Sequence, residues 1–177
     1  MRQEEICQLH IEDVRRERGV WIFDINNRPP RQVKNRNAVR LVPVHKDLIK
    51  LGLLEYVDEQ RRAGRGLLFH QLRPGGADDR LGHNFTKWFT RYRRDVGLYE
   101  GRLDFHSFRH SATTFMQWAD VPASIIDAVT GHETTGETAR YTKNFQITQL
   151  LQAVDAIDPG VDLSGLYPKR IDPAASA

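Results

Sequence analysis

The sequence predicts a mainly α protein with a small antiparallel β-sheet. Two observations carry this. Apolar residues recur at helical spacing through most of the chain. Only short runs rich in β-branched and aromatic residues, near 20–25 and 39–44, break that rhythm, and a turn-rich connection lets them pair as a hairpin. With 177 residues, 40% hydrophobic and 28% charged, the chain is long enough for one domain with a real core. No apolar run approaches the ~20 residues that span a bilayer. The charged start, Met1-Arg2-Gln3-Glu4-Glu5, is no secretory signal. The single cysteine, Cys7, has no internal disulfide partner, which fits a cytoplasmic location.

In order, residues 3–14 predict a short amphipathic helix with Ile6 and Leu9 on one face. Val20-Trp21-Ile22-Phe23-Asp24-Ile25 predicts a strand, ended by Asn26-Asn27-Arg28-Pro29-Pro30. Residues 39–44 predict a second strand, with Pro43 marking an edge or an end. Residues 31–38 would connect the two, and Lys34 would project from the turn. Residues 46–62 predict a helix with Leu48, Leu51, Leu54 and Val57 toward the core, and Gly52 weakens it. Leu67-Leu68-Phe69 predicts a third strand, and residues 74–79 a loop. Residues 81–96 predict a helix stopped by Gly97.

The next helix spans about 106–119. Phe108, Ala112, Phe115 and Ala119 mark its expected buried stripe, and His106, Arg109, His110 and Thr113 share another face. A new helix starts at Asp120-Val121-Pro122, with Asp120 or its neighbour as cap and Pro122 in the first turn. Ile125, Ile126 and Val129 bury it, and Gly131 ends it. Residues 134–143 predict a short helix bearing Tyr141, and residues 147–157 a last one carrying Leu150, Leu151 and Val154. Residues 158–177 read as an extended tail.

The net charge is only +3, with a pI near 9.2. The distribution of the basic residues says more. They cluster at 28–40 and 87–94, the second cluster interleaved with Trp88, Phe89 and Tyr92, which suits a phosphate backbone. Arg36, Arg40, Lys87, Arg91, Arg93, Arg94 and His110 are candidate DNA contacts.

The chemistry concentrates between Phe105 and Tyr141. His106 and Arg109 lie one turn apart, His132 follows a glycine, and Tyr141 comes next; Arg2 and Lys34 complete the set. Cutting a phosphodiester needs a nucleophile, charge on the non-bridging oxygens and a proton for the leaving oxygen. Tyrosine makes the cut reversible, because a phosphotyrosine stores the bond energy and no nucleotide cofactor is needed. Arginine's fork donates two hydrogen bonds and keeps its charge. Lysine or histidine can move the proton.

The same residues resemble the tyrosine recombinases, the phage integrase family. Arg2-Gln3-Glu4-Glu5-Ile6-Cys7-Gln8-Leu9, with Asp13-Val14, resembles the family's first arginine segment. Lys34 followed by Arg40-Leu41-Val42-Pro43-Val44 resembles its hairpin lysine. His106-Ser107-Phe108-Arg109-His110-Ser111 resembles its His-x-Leu-Arg-His motif, with Phe108 for leucine on a face expected to be buried. Gly131-His132-Glu133 through Tyr141 resembles its closing segment.

The resemblance implies the DNA breaking-rejoining catalytic fold over residues 1–157 and a set of roles. Arg2 and Arg109 would clamp the scissile phosphate. Lys34 would be the general acid and His106 would assist proton transfer. His132 would bond a phosphate oxygen, Tyr141 would be the nucleophile, and Glu5 would support the arginine. It implies double-stranded DNA as partner, no metal or other cofactor, and a tetramer on DNA with the last helix exchanged between protomers. In the family, further helices and a DNA-clamping domain precede the first arginine, so the chain is expected to lack them. Arg2 is then expected to fray, with its helix packed against nothing.

Two other readings use the same residues: a remnant that grips DNA or a partner integrase without turnover, and a type IB topoisomerase-like relaxing activity. A metal-dependent nuclease fits poorly, since the seven histidines include no His-Glu-x-x-His cluster.

Overall fold

The computed structural model describes residues 1–33, 38–132 and 145–168. Its helices are α1 (Gln3–Cys7), α2 (Lys46–Lys50), α3 (Leu53–Arg62), α4 (Leu81–Asp95), α5 (Phe105–Trp118), α6 (Ala123–Thr130) and α7 (Ile147–Asp155). Its strands are β1 (Val14–Glu17), β2 (Val20–Ile25) and β3 (Arg40–Pro43), in the order β1-β2-β3. Both strand pairs are antiparallel. The expected α+β class holds.

The hairpin of residues 20–25 and 40–43 forms as expected, with Phe23 opposite Val42 and Ile22 opposite Pro43. Pro43 ends an edge strand, where its missing N–H costs no ladder bond. β1 was not expected. The helix predicted over residues 3–14 stops at Cys7, a 3-10 turn follows at Ile11–Asp13, and the chain then enters the sheet. Arg18 (φ 47°) and Gly19 (φ 84°) both take left-handed backbone. That is the geometry of the tight turn that matches the twist of its flanking strands. β1's charged sequence hid it, but such charges suit an edge strand. Arg15 pairs with Glu17 and, across the ladder, with Asp24.

Val14, Phe23 and Val42 share one face of the sheet, and Ile22 and Pro43 the other; all five are buried. α7 lays Ile147, Leu150, Ala153 and Val154 into the core that β3 and α6 also line. The helix expected over residues 46–62 breaks at Gly52, whose φ of 88° a continuous helix excludes. Its N-terminal part turns outward, so Leu48 is exposed while Val57 is buried. Leu67-Leu68-Phe69 forms no strand. It makes one isolated bridge, His10 to Leu67, and Leu68 is buried through its backbone bond to Leu9.

The stripe expected on α5 is also corrected. Phe108 is 61% exposed, and Arg109 and Met116 are the buried residues. The reason is local. Asp104 caps α5 by accepting from the His106 and Ser107 N–H groups. Phe105 then packs edge-on against Phe85 and Phe89 of α4, which rotates the Arg109–Met116 face inward. Pro122 stands at the cap position of α6 rather than in its first turn, with no side-chain cap.

Nor is α1 unpacked. Glu4 accepts from the Leu81 and Gly82 N–H groups, capping α4 from a neighbouring helix, and Gln3 donates to the Gly82 carbonyl. The tail is partly docked: Tyr167 lies under Lys50, and Pro168 lies beside Gly52. The expected helix over residues 134–143 lies outside the described residues.

Candidate active site

Three cations and one carboxylate meet where α1, β3, α5 and the end of α6 converge. Glu5 is 4% exposed. Its Oε1 accepts from Arg2 Nη1 at 2.9 Å, and its Oε2 accepts from the Arg2 backbone N–H at 2.7 Å and from Arg40 Nη2 at 2.8 Å. Burial alone would push this carboxyl up. The Arg40 hydrogen bonds and charge, and then Arg2, outweigh it and hold Glu5 at about 2. Arg2 also donates from Nη2 to the Gly131 carbonyl at 3.1 Å. The first arginine is therefore held at both ends of its fork, contrary to the fraying expected so near a terminus.

Arg109 is different. It is 6% exposed, and its Nη1 and Nη2 are buried with no hydrogen-bond partner among the described residues. Burial, and repulsion from Arg2 and Arg40, lower its guanidinium to about 10, with Glu5 opposing. A buried, unpaired fork is costly. It is also what an anion offering two free oxygens would satisfy. Arg2, Arg40 and Arg109 outnumber Glu5, so the cluster is electropositive with an unfilled donor set.

Two histidines border it. Gly131, at φ 69°, ends α6 and turns the chain. His132 follows, with Nδ1 3.2 Å from Thr130 Oγ1 and 3.5 Å from Asp127 Oδ1. Burial and the Arg109 charge lower its pKa against Asp127. His106, in the first turn of α5, packs edge-on against His110 with ring centroids 4.8 Å apart. Burial, His110 and Arg109 lower its pKa. Both rings are thus biased toward the neutral form, able to accept or relay a proton.

Of the residues expected in the site, the structure brings Arg2, Glu5, Arg109 and His132 together, with His106 close enough to feel the Arg109 and Arg2 charges. Lys34, Arg36 and Tyr141 lie outside the described residues. Arg40, expected as a DNA contact, is turned inward instead: its side chain is 7% exposed and binds Glu5 and the Ala38 and Val129 carbonyls. Strand alternation carried the signal, since Arg40 shares a face with buried Val42. Lys87, Arg91 and Arg94 are exposed on α4. Arg93 lies over Phe89 and Tyr99 and donates to the Leu103 carbonyl, and Arg94 also lies over Tyr99.

Sequence reasoning missed a second network. Asp13 is buried and accepts from Arg31 Nε at 2.7 Å and Asn26 Nδ2 at 2.9 Å. Beside it, Gln8 and Gln32 exchange two hydrogen bonds. Together they fasten the start of the β2–β3 connection to the segment that follows α1.

A family model described as the phage integrase family matches residues 1–147. The chain belongs to the phage integrase family. As a phage integrase it is a tyrosine recombinase kind of enzyme, and its family acts on DNA in recombination and integration. No curated protein and no solved structure matched it. No helix among the described residues is long and apolar enough to cross a membrane.

Proposed function

We propose that this integrase cuts and rejoins duplex DNA at specific sites through a 3′-phosphotyrosine, without a metal or other cofactor. The observation that carries the reading is the fork of Arg109 beside Arg2, buried and without a hydrogen-bond partner among the described residues. A scissile phosphate would fill it, and the added negative charge of the pentacoordinate transition state would fill it better.

Tyr141 Oη attacks phosphorus, and its proton passes to His106. The bond from phosphorus to the 5′-oxygen breaks as Lys34 gives that oxygen a proton. Arg2 and Arg109 hold the non-bridging oxygens, and His132 donates to one of them. Glu5 keeps Arg2 aimed. Attack by a 5′-hydroxyl from another strand reverses each transfer and rejoins the DNA. The bond energy stays in the phosphotyrosine throughout.

Residues 1–157 then act as the catalytic domain and residues 158–177 as a tail. The exposed Lys87, Arg91 and Arg94 on α4 suit the DNA backbone. The apolar face of α7 fits a seat formed by α6 and β3, and the same seat in a neighbouring copy would accept it equally, as exchange within a tetramer requires.

Incubation of the protein with nicked duplexes bearing attachment-site DNA, in chelator, tests this. The expected result is a covalent adduct with the wild type and none with Tyr141→Phe. Lys34→Ala should be rescued by a substrate whose leaving 5′-oxygen is sulfur, which needs no proton. An equal defect on both substrates removes Lys34 as the acid. Relaxation of supercoiled DNA without site preference would point to the topoisomerase-like reading instead.

A further inference from the structure

We propose that Arg40 is a positioning residue for strand cleavage: it ties Glu5 to the end of α6 and so holds Arg2 and the Gly131–His132 turn in one frame around the phosphate. The inference rests on the proposed roles of Arg2 and His132.

The frame is a closed ring of hydrogen bonds. Arg40 Nη2 donates to Glu5 Oε2 at 2.8 Å, and Nη1 reaches Glu5 Oε1 at 3.2 Å. Arg40 Nε donates to the Val129 carbonyl at 2.9 Å. Two residues on, the Gly131 carbonyl accepts from Arg2, and Arg2 returns to Glu5. The ring joins α1, β3 and α6, elements remote in sequence. It also satisfies carbonyls that the end of a helix leaves open, with cations where the helix dipole favours them. Gly131 packs directly on Arg40: a Cβ there would lie 2.8 Å from Arg40 Nη1. Arg40 itself is buried with its donors committed, so it acts through its neighbours and not on the phosphate.

The charges around Glu5 make the arrangement testable. Arg2 faces it from its own helix, Arg40 from β3 and Arg109 from α5, and the Met1 amino group, which burial and then Arg40 lower to about 5, lies beside them. On the far side, Asp13, Asp24 and Arg31 line a small cavity with it. The end of α6 contributes neutral carbonyls, with His132 beyond them. Arg40, through its hydrogen bonds and then its charge, leads what opposes the burial of the Glu5 carboxylate, ahead of Arg2. Without Arg40, Glu5 would take up a proton at a higher pH and Arg2 would lose its acceptor.

The experiment compares wild type, Arg40→Met and Arg40→Lys. It follows the Glu5 carboxyl carbon and the Arg2 Nε signal by NMR against pH, alongside adduct yield on nicked duplexes. In Arg40→Met the Glu5 midpoint should rise by about one pH unit or more, and the Arg2 signal should follow the same midpoint. Adduct formation should fall about tenfold at the neutral pH of the assay, because the fork that ties Glu5 to the end of α6 is gone. An unmoved Glu5 midpoint, an indifferent Arg2 signal, or a wild-type adduct yield overturns the proposal.

Arg40→Lys covers the case in which the methionine variant does not fold. It keeps the charge but loses the fork, so Glu5 should titrate between wild type and Arg40→Met while adduct yield drops several-fold at all pH. Wild-type yield from a folded lysine variant also overturns the proposal. If wild type and Tyr141→Phe behave alike, the functional reading fails, and the Glu5 and Arg2 titrations still decide the role of Arg40.

Discussion

Arg2 Nη2 donates to the carbonyl of Gly131, a residue 129 positions away, at 3.1 Å. The arginine that opens the chain is thus held by the turn that presents His132. Gly131 adopts φ 69° and lies against Arg40. Gly131→Ala should therefore cost about 1–2 kcal/mol from left-handed strain, read as a lower urea midpoint. It should also slow cleavage by more than that loss of fold explains, because Arg2 and His132 move together. Unchanged adduct kinetics would mean that the turn does not position the site.

Arg109 offers a sharper contrast. Its buried guanidinium, without a partner among the described residues, is a liability to the fold at every pH below about 10. Arg109→Met keeps the bulk and removes the charge. It should stabilise the protein by about 1–3 kcal/mol in urea titrations while abolishing adduct formation. A destabilised variant would show that Arg109 is satisfied in the free protein.

The same residue also bears on both histidines. Burial first, and the Arg109 charge in addition, disfavours the protonated form of His106 and His132, so their NMR titration midpoints should lie below the ordinary histidine value and rise part of the way in Arg109→Met. A phosphate bound at the site should raise the His132 midpoint too. Because folding lowers both pKa values, stability is lost as pH falls through the ordinary value of 6.5.

Glu5 sets an acid limit on the fold. Its folded value of about 2 lies below the ordinary 4.5. The stabilisation it supplies is therefore full above 4.5 and lost as pH falls toward 2. On that basis its ionisation contributes about 3 kcal/mol at neutral pH. The stability gap between wild type and Glu5→Gln should narrow across that window. A gap constant down to pH 2 would mean that the carboxylate contributes through packing alone.

Much of this was legible in the sequence, and the failures have physical causes. The β2–β3 hairpin was readable because alternation and turn residues agree. Helix ends at Gly97 and Gly131 were readable because left-handed backbone selects glycine. β1 was not, because an edge strand of charged residues has no apolar alternation. The buried face of α5 was misassigned because an arginine, Arg109, holds the position where hydrophobic periodicity expects a core residue. A helix that buries a charge for function breaks the rule by which helices are read. Arg2, Arg109 and His132 were named from their motifs. Glu5 was named as support, but that its second cation is Arg40 depends on contacts 35 positions apart, which local pattern does not encode.

The most direct measurement is the covalent trap itself, with the adduct digested and mapped. The expected product is a DNA-linked peptide containing Tyr141, formed in chelator, absent in Tyr141→Phe and lost in Arg109→Met although that variant is folded. An adduct on any other residue, or one that Arg109→Met still forms at the wild-type rate, would contradict it.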